Sequence, residues 1–159
     1  MPNWVVHDKW AKKAGIDEFI AYYVNRNIDY GTSWAFSNND DSRNYNHSES
    51  VAIQQLRFFH QKDLEHEEDT QNSYVKACYL HHLLDYFRET RVNIKDIDLV
   101  FENFLIEKIG PEIVNNKGIK ISFLSDIQQI FDLLKKNKDD LLSDLRGEYL
   151  TKLDKKNRI

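Results

Sequence analysis

Apolar residues recur every three to four positions along most of this chain, and the breaks in that rhythm mark where helices should end. From Trp4 to Ala14, the residues Trp4, Val6, His7, Trp10, Ala11 and Ala14 share one side at helical spacing, and Gly15 is a natural stop. Asp17 stands as N-cap of a second helix carrying Phe19, Ile20, Tyr23 and Val24. Residues 31–50, "GTSWAFSNNDDSRNYNHSES", have no period and are rich in Ser, Asn and Asp. They read as one long polar loop, expected to be the most mobile internal segment. A third helix is expected over about 49–65, with Ala52, Ile53, Leu56, Phe59, His60 and Leu64 on one face. The polar run "EHEEDTQN" separates it from a fourth, over about 71–91. There Val75, Tyr79, Leu80, Leu83, Leu84, Tyr86 and Phe87 cover most of the circumference, which predicts a central position.

Asn93, with Asp96 three residues on, caps a fifth helix bearing Ile97, Val100, Phe101, Phe104, Leu105 and Ile109, which ends at Gly110-Pro111. "KGIKIS" alternates briefly, as a short strand or an extended connection would. Ser125 to Gln128 has capping-box spacing before Ile127, Ile130, Phe131 and Leu134. A last helix carries Leu141, Leu142, Leu145, Tyr149 and Leu153, and the tail 154–159 should fray. The pattern therefore predicts an all-α protein: a single compact bundle of six or seven helices, one domain over 1–159, with one long polar loop.

Composition narrows the class. The 159 residues are 41% hydrophobic and 13% aromatic, enough for a real core, and only five glycines and two prolines argue against a turn-rich β fold. A net charge of −4 gives no long-range attraction to nucleic acid or anionic lipid. The single cysteine, Cys78, excludes an internal disulfide and suits a reducing compartment. There is neither a signal-peptide pattern nor a run approaching the roughly 18 apolar residues of a membrane span, so a cytoplasmic location is expected.

The candidate chemistry centres on "YLHHLLDYF", Tyr79 to Phe87. His81 and Asp85 are i and i+4, so on a helix they stack on one face, with Tyr74, Cys78 and Arg88 on the same stripe and His82 at its edge. Imidazole plus carboxylate suits zinc, manganese or iron, and a catalytic ion needs about three protein ligands. His7 and His60, both on apolar faces of other helices, are candidates to complete the shell. So are His82, Asp8 beside His7, and the loop residues Asp40, Asp41 and His47. Each has a plainer alternative. His81 and Asp85 read equally as an ion pair or a solvated stripe, His60 as a core histidine, His7 as packing for Trp4 and Trp10, Asp40-Asp41 as a turn, and Cys78 as a small buried hydrophobe.

Other chemistries are poorly served. There is no glycine-rich phosphate loop and no G-x-S-x-G elbow. A Cys78-His82 dyad lacks a recognisable oxyanion hole. The arginine-histidine spacings in "RNYNH" and "RFFH" are narrower than those of helical ribonucleases.

"HHLLD" resembles the ligand helix of zinc-dependent phospholipase C and the related single-strand nucleases. In that family an N-terminal Trp, an early His and a loop Asp also bind metal, and Trp4, His7 and Asp40 or Asp41 stand in comparable order. No histidine follows His82, so the family's later His ligands have no counterpart. The adjacent His7-Asp8 is similar to the motif of HD-domain phosphohydrolases, although no histidine precedes it. Both resemblances imply phosphoester hydrolysis. The expected function is thus a metal-dependent phosphoester hydrolase or nuclease using Zn or Mn. His7, His81 and Asp85 would be ligands, joined by His82, His60 or Asp40, with Trp34, Arg43 and His47 at the substrate mouth. The alternative is a non-enzymatic helical interaction protein, for example of viral or mobile-element origin, that inhibits a host complex through loop aromatics such as Trp34, Phe36 and Tyr45.

Overall fold

The computed structural model describes residues 4–31, 51–65, 72–90, 97–114 and 117–145. The loop expected over 31–50 (beyond Gly31), the Asn93 cap and the tail at 154–159 lie outside the described residues, as do Tyr149 and Leu153.

Helix α1 spans Trp4–Lys13 and α2 spans Glu18–Arg26, continuing into a π-helical turn at Asn27–Gly31. Helices α3 (Val51–Glu65), α4 (Ser73–Thr90) and α5 (Ile97–Glu107) follow. Next come strands β1 (Glu112–Val114) and β2 (Lys120–Ser122), then α6 (Leu124–Lys136) and a final described helix, α7, over 138–145. This is the all-α bundle the hydrophobic rhythm predicts, with one antiparallel two-stranded ladder in which Ile113 faces Ile121. No described helix is long and apolar enough to cross a membrane.

Helix α4 is the axis. It packs against α1, α2, α3, α5 and α6, and Val75, Tyr79, Leu80, Leu83, Leu84, Tyr86 and Phe87 are all buried. Phe101 of α5 and Phe131 of α6 stack face to face with centroids 4.1 Å apart. Phe123, at the β2–α6 junction, is buried against Tyr79 and His60. The Tyr79 hydroxyl donates to the carbonyl of Gly110 at 2.9 Å, tying α4 to the start of the hairpin.

Three details differ from the expectation. Ser125 does not cap α6. The helix begins at Leu124 with no side-chain cap, and the Ser122 hydroxyl instead accepts from the Leu124 amide at 3.3 Å. Phe19 is 83% exposed, because it lies two residues, about 160° around a helix, from the inward Ala21. Leu64 is also exposed, at the fringe of α3, where the inward position belongs to Asp63.

Two polar devices set the positions of α1 and α4. Helix α1 is pinned to α7: Lys9 Nζ lies 3.0 Å from Asp140 and 2.9 Å from Asp144, Trp10 Nε1 donates to Asp144 at 2.9 Å, and Lys13 pairs with Asp140. This fixes the rotation of α1 about its own axis. The start of α4 is capped from another helix. The buried Asp63 carboxylate of α3 accepts from the Tyr74 and Val75 amides at 3.0 and 2.9 Å, satisfying donors a helix start otherwise leaves bare.

Asp63→Ala would leave those amides without their acceptor, at a cost of about 1–3 kcal/mol. We expect a lower urea midpoint with an unchanged slope, and a smaller drop for Asp63→Asn, which keeps one acceptor oxygen. An unchanged midpoint in Asp63→Ala would show that the cross-helix cap contributes nothing.

Candidate metal centre

Helical spacing alone puts His81 and Asp85 on one face of α4, and the fold turns that face inward. His81 is 1% exposed, which rules out the solvated stripe. Helix α1 brings the buried His7 beside it, ring centroids 4.3 Å apart. His7 Nε2 lies 3.2 Å from Asp85 Oδ1, and His81 Nε2 lies 3.2 Å from Asp85 Oδ2. One donor atom from each of His7, His81 and Asp85 falls within 4.8 Å of the others. Two donors bound to one tetrahedral zinc, each about 2.0–2.1 Å away, are about 3.4 Å apart. The carboxylate of Asp85 is thus already at coordination-edge distance from both imidazoles.

The second helix completes the surroundings. Asn25, buried near the end of α2, accepts from His81 Nδ1 at 2.8 Å, and its own amide donates to Asp8 at 3.4 Å. That bond assigns a proton to Nδ1 and aims Nε2 at the carboxylates, the outer-shell pattern that orients metal-binding histidines. Asp29, in the π turn, places Oδ1 3.2 Å from the same Nε2. His81 Nε2 is fully buried and lies at ion-pair distance from both carboxylates. Arg88 stands next to the cluster with Nη2 3.4 Å from Asp85 Oδ1.

A neutral His81 would turn its Nε2 lone pair toward two carboxylates, so this position calls for positive charge. Burial on its own would lower the His81 pKa, but Asp29 and Asp85 outweigh it and raise it. Burial would likewise raise the Asp85 carboxyl, yet His7 and His81 hold it well below the usual carboxylate range. A proton on Nε2 meets the demand in part, and a divalent cation would meet it while engaging His7 as well.

The remaining sequence candidates go elsewhere. His82 Nε2 lies 2.7 Å from Gln55 Oε1, so this ring is a donor within the α3–α4 contact and is not in the cluster. His60 is buried against Phe123, ring centroids 5.1 Å apart, also outside it. His82 faces α3 because that helix covers its side of α4, and His60 lies on α3 and packs into the core there. Asp8 is exposed and reaches the site only through Asn25. Cys78 is fully buried and burial pushes its thiol up, so it is no nucleophile toward His82. Asp40, Asp41, Trp34, Arg43 and His47 lie outside the described residues. Asn25 and Asp29 were missed. Their signal is present in "VNRNID": a second polar pair at i and i+4, next to an apolar face.

His82 and His60 make stability depend on acidity. Burial, then the neighbouring His81, lowers His82 to about 3, and burial also lowers His60. Both rings are neutral when folded and gain a proton on unfolding below about pH 6.5. Their contribution is complete above that value and is lost as pH falls toward about 3, on the order of 1 kcal/mol per pH unit for His82. Denaturation in chelator at pH 7, 6, 5 and 4 should show a steeper fall for the native chain than for His82→Gln. Parallel curves would remove His82 from the account.

Comparisons of the chain with protein-family models, with curated proteins and with solved structures return no match.

Proposed function

We propose that this protein is a metal-dependent phosphoester hydrolase, with His7, His81 and Asp85 holding a divalent ion such as Zn or Mn. The observation that carries this reading is the convergence of two buried imidazoles and one carboxylate from two helices, His7 from α1 and His81 and Asp85 from α4, at separations that suit a common ion. Buried charge is costly unless it is paired, and here Asp85 faces His7, His81 and Arg88 at 3.2–3.4 Å.

The site also has a partly solvent-exposed edge. Asp85 and Arg88 each keep 19% of their side-chain surface accessible, while His81 keeps none. A bound divalent ion lowers the pKa of coordinated water toward neutrality and polarises a phosphoryl oxygen. Arg88, beside Asp85, is placed to offset phosphate charge at that edge, since a guanidinium donates well to phosphate oxygens. Asn25 and Asp8 hold the His81 ring in the tautomer that leaves Nε2 for the ion. A phosphodiester, nucleic acid included, is the substrate class that fits, and a cytoplasmic setting fits the lone thiol Cys78.

The test combines metal content with melting. Protein purified without a metal-affinity tag should carry close to one equivalent of metal and hydrolyse a chromogenic phosphodiester. His81→Ala should lose metal and activity together. Chelator should lower the melting temperature of the native chain and leave the mutant unchanged, since an ion at a hundredfold excess over its dissociation constant stabilises by about 2.7 kcal/mol. Absence of stoichiometric metal, with chelator shifting neither melt, would overturn the enzyme reading in favour of an interaction protein.

A further inference from the structure

Among the described residues, Phe19 of α2 is the most exposed large apolar side chain, at 83%. It does not stand alone. Tyr22, 50% exposed, and the exposed Glu18 and Arg26 share about 100° of the helix circumference with it, on the side away from the buried Ala21 and Val24. We infer that this stripe docks a second copy of the chain, as an antiparallel α2–α2 pair about a two-fold axis at Tyr22. The metal centre lies on the other side of α2, where Asn25 meets His81, so this inference stands or falls separately from that one.

The stripe is complementary to itself. Glu18 and Arg26 each lie four residues from Tyr22, in opposite directions. A two-fold axis at Tyr22 sets Glu18 of one copy level with Arg26 of the other, and does so twice. A parallel pair would set like charges level instead, and would oppose the helix dipoles that the antiparallel pair aligns favourably. Phe19 lies three residues from Tyr22, toward Glu18, so its ring flanks the same incoming guanidinium, which then meets an aromatic face as well as a carboxylate. Arg26 is already laid along the stripe: its guanidinium sits 4.9 Å from the Tyr22 ring centroid and donates to the Tyr22 hydroxyl. A side chain ordered before docking loses less entropy on docking. Phe, Tyr and Arg are also the residue types that dominate the centres of interfaces. Two helical turns are fewer residues than a standard interface supplies, so the dimer is a weak one that forms by mass action.

The test is sedimentation equilibrium of the full chain from roughly 1 µM to 1 mM, the range in which an interface below standard size titrates. Chelator in every sample removes any dimer bridged by metal. Circular dichroism melts confirm that each variant is folded. The native chain should pass from monomer to dimer, and Phe19→Ser, Glu18→Arg and Arg26→Glu should each weaken association about tenfold or more. An equal mixture of Glu18→Arg and Arg26→Glu should recover it, because the mixed pair restores opposite charges at both ends of the stripe. A native chain that stays monomeric throughout overturns the proposal, and leaves the stripe to a different partner or to solvent. A dimer that none of the three substitutions weakens uses another face and overturns it equally. Failure of the mixture to recover association would refute the antiparallel pairing.

Discussion

One buried nitrogen organises this molecule. His81 Nε2 lies inside the bundle with carboxylate oxygens of Asp29 and Asp85 both 3.2 Å away, while Asn25 holds the opposite side of the ring at 2.8 Å. That arrangement demands a positive charge at a place where water cannot supply screening. Elements as distant in sequence as α1, the end of α2 and the middle of α4 must meet correctly for the demand to be met. A misplacement of any one leaves a charge buried without a partner, which costs more than an ordinary lost contact.

The apolar frame explains how the meeting is enforced. Helix α4 is packed on nearly all sides, so its rotation is not adjustable, and its polar face is directed wherever α1 and α2 lie. Helix α1 carries few hydrophobic residues beyond Val6, Trp10 and Ala11, and its rotation is secured by charge: Lys9 and Lys13 with Asp140, and Lys9 and Trp10 with Asp144. These bonds are partly exposed and individually modest. Their importance is geometric, because Lys9 and Trp10 lie within one turn of His7. The hydrogen bonds of the far terminus thereby influence whether His7 faces Asp85.

Polar groups on α4 are sorted by what faces them. His82, one residue from His81, meets Gln55 of α3 and stays neutral, whereas His81 meets carboxylates and is driven toward its charged form. Adjacent identical side chains thus acquire opposite electrostatic character from a 100° difference in direction around the helix. Cys78, on the same stripe as His81 and Asp85, is buried among apolar neighbours and inert.

The chain's local chemistry determined the helices, the central place of α4 and the pairing of His81 with Asp85, because all three follow from a 3.6-residue period that operates within a dozen residues. The Asp17 cap belongs to the same class, since donor and acceptor are two or three residues apart. Tertiary structure alone decided the rest. The Asp63 cap on α4, the choice of His7 over His60 as neighbour of His81, and the arrival of Asn25 and Asp29 each depend on which helix faces meet across the core. A face that is polar in the sequence looks the same whether it will meet water or another polar face. Only packing distinguishes the two, by removing the water from one of them.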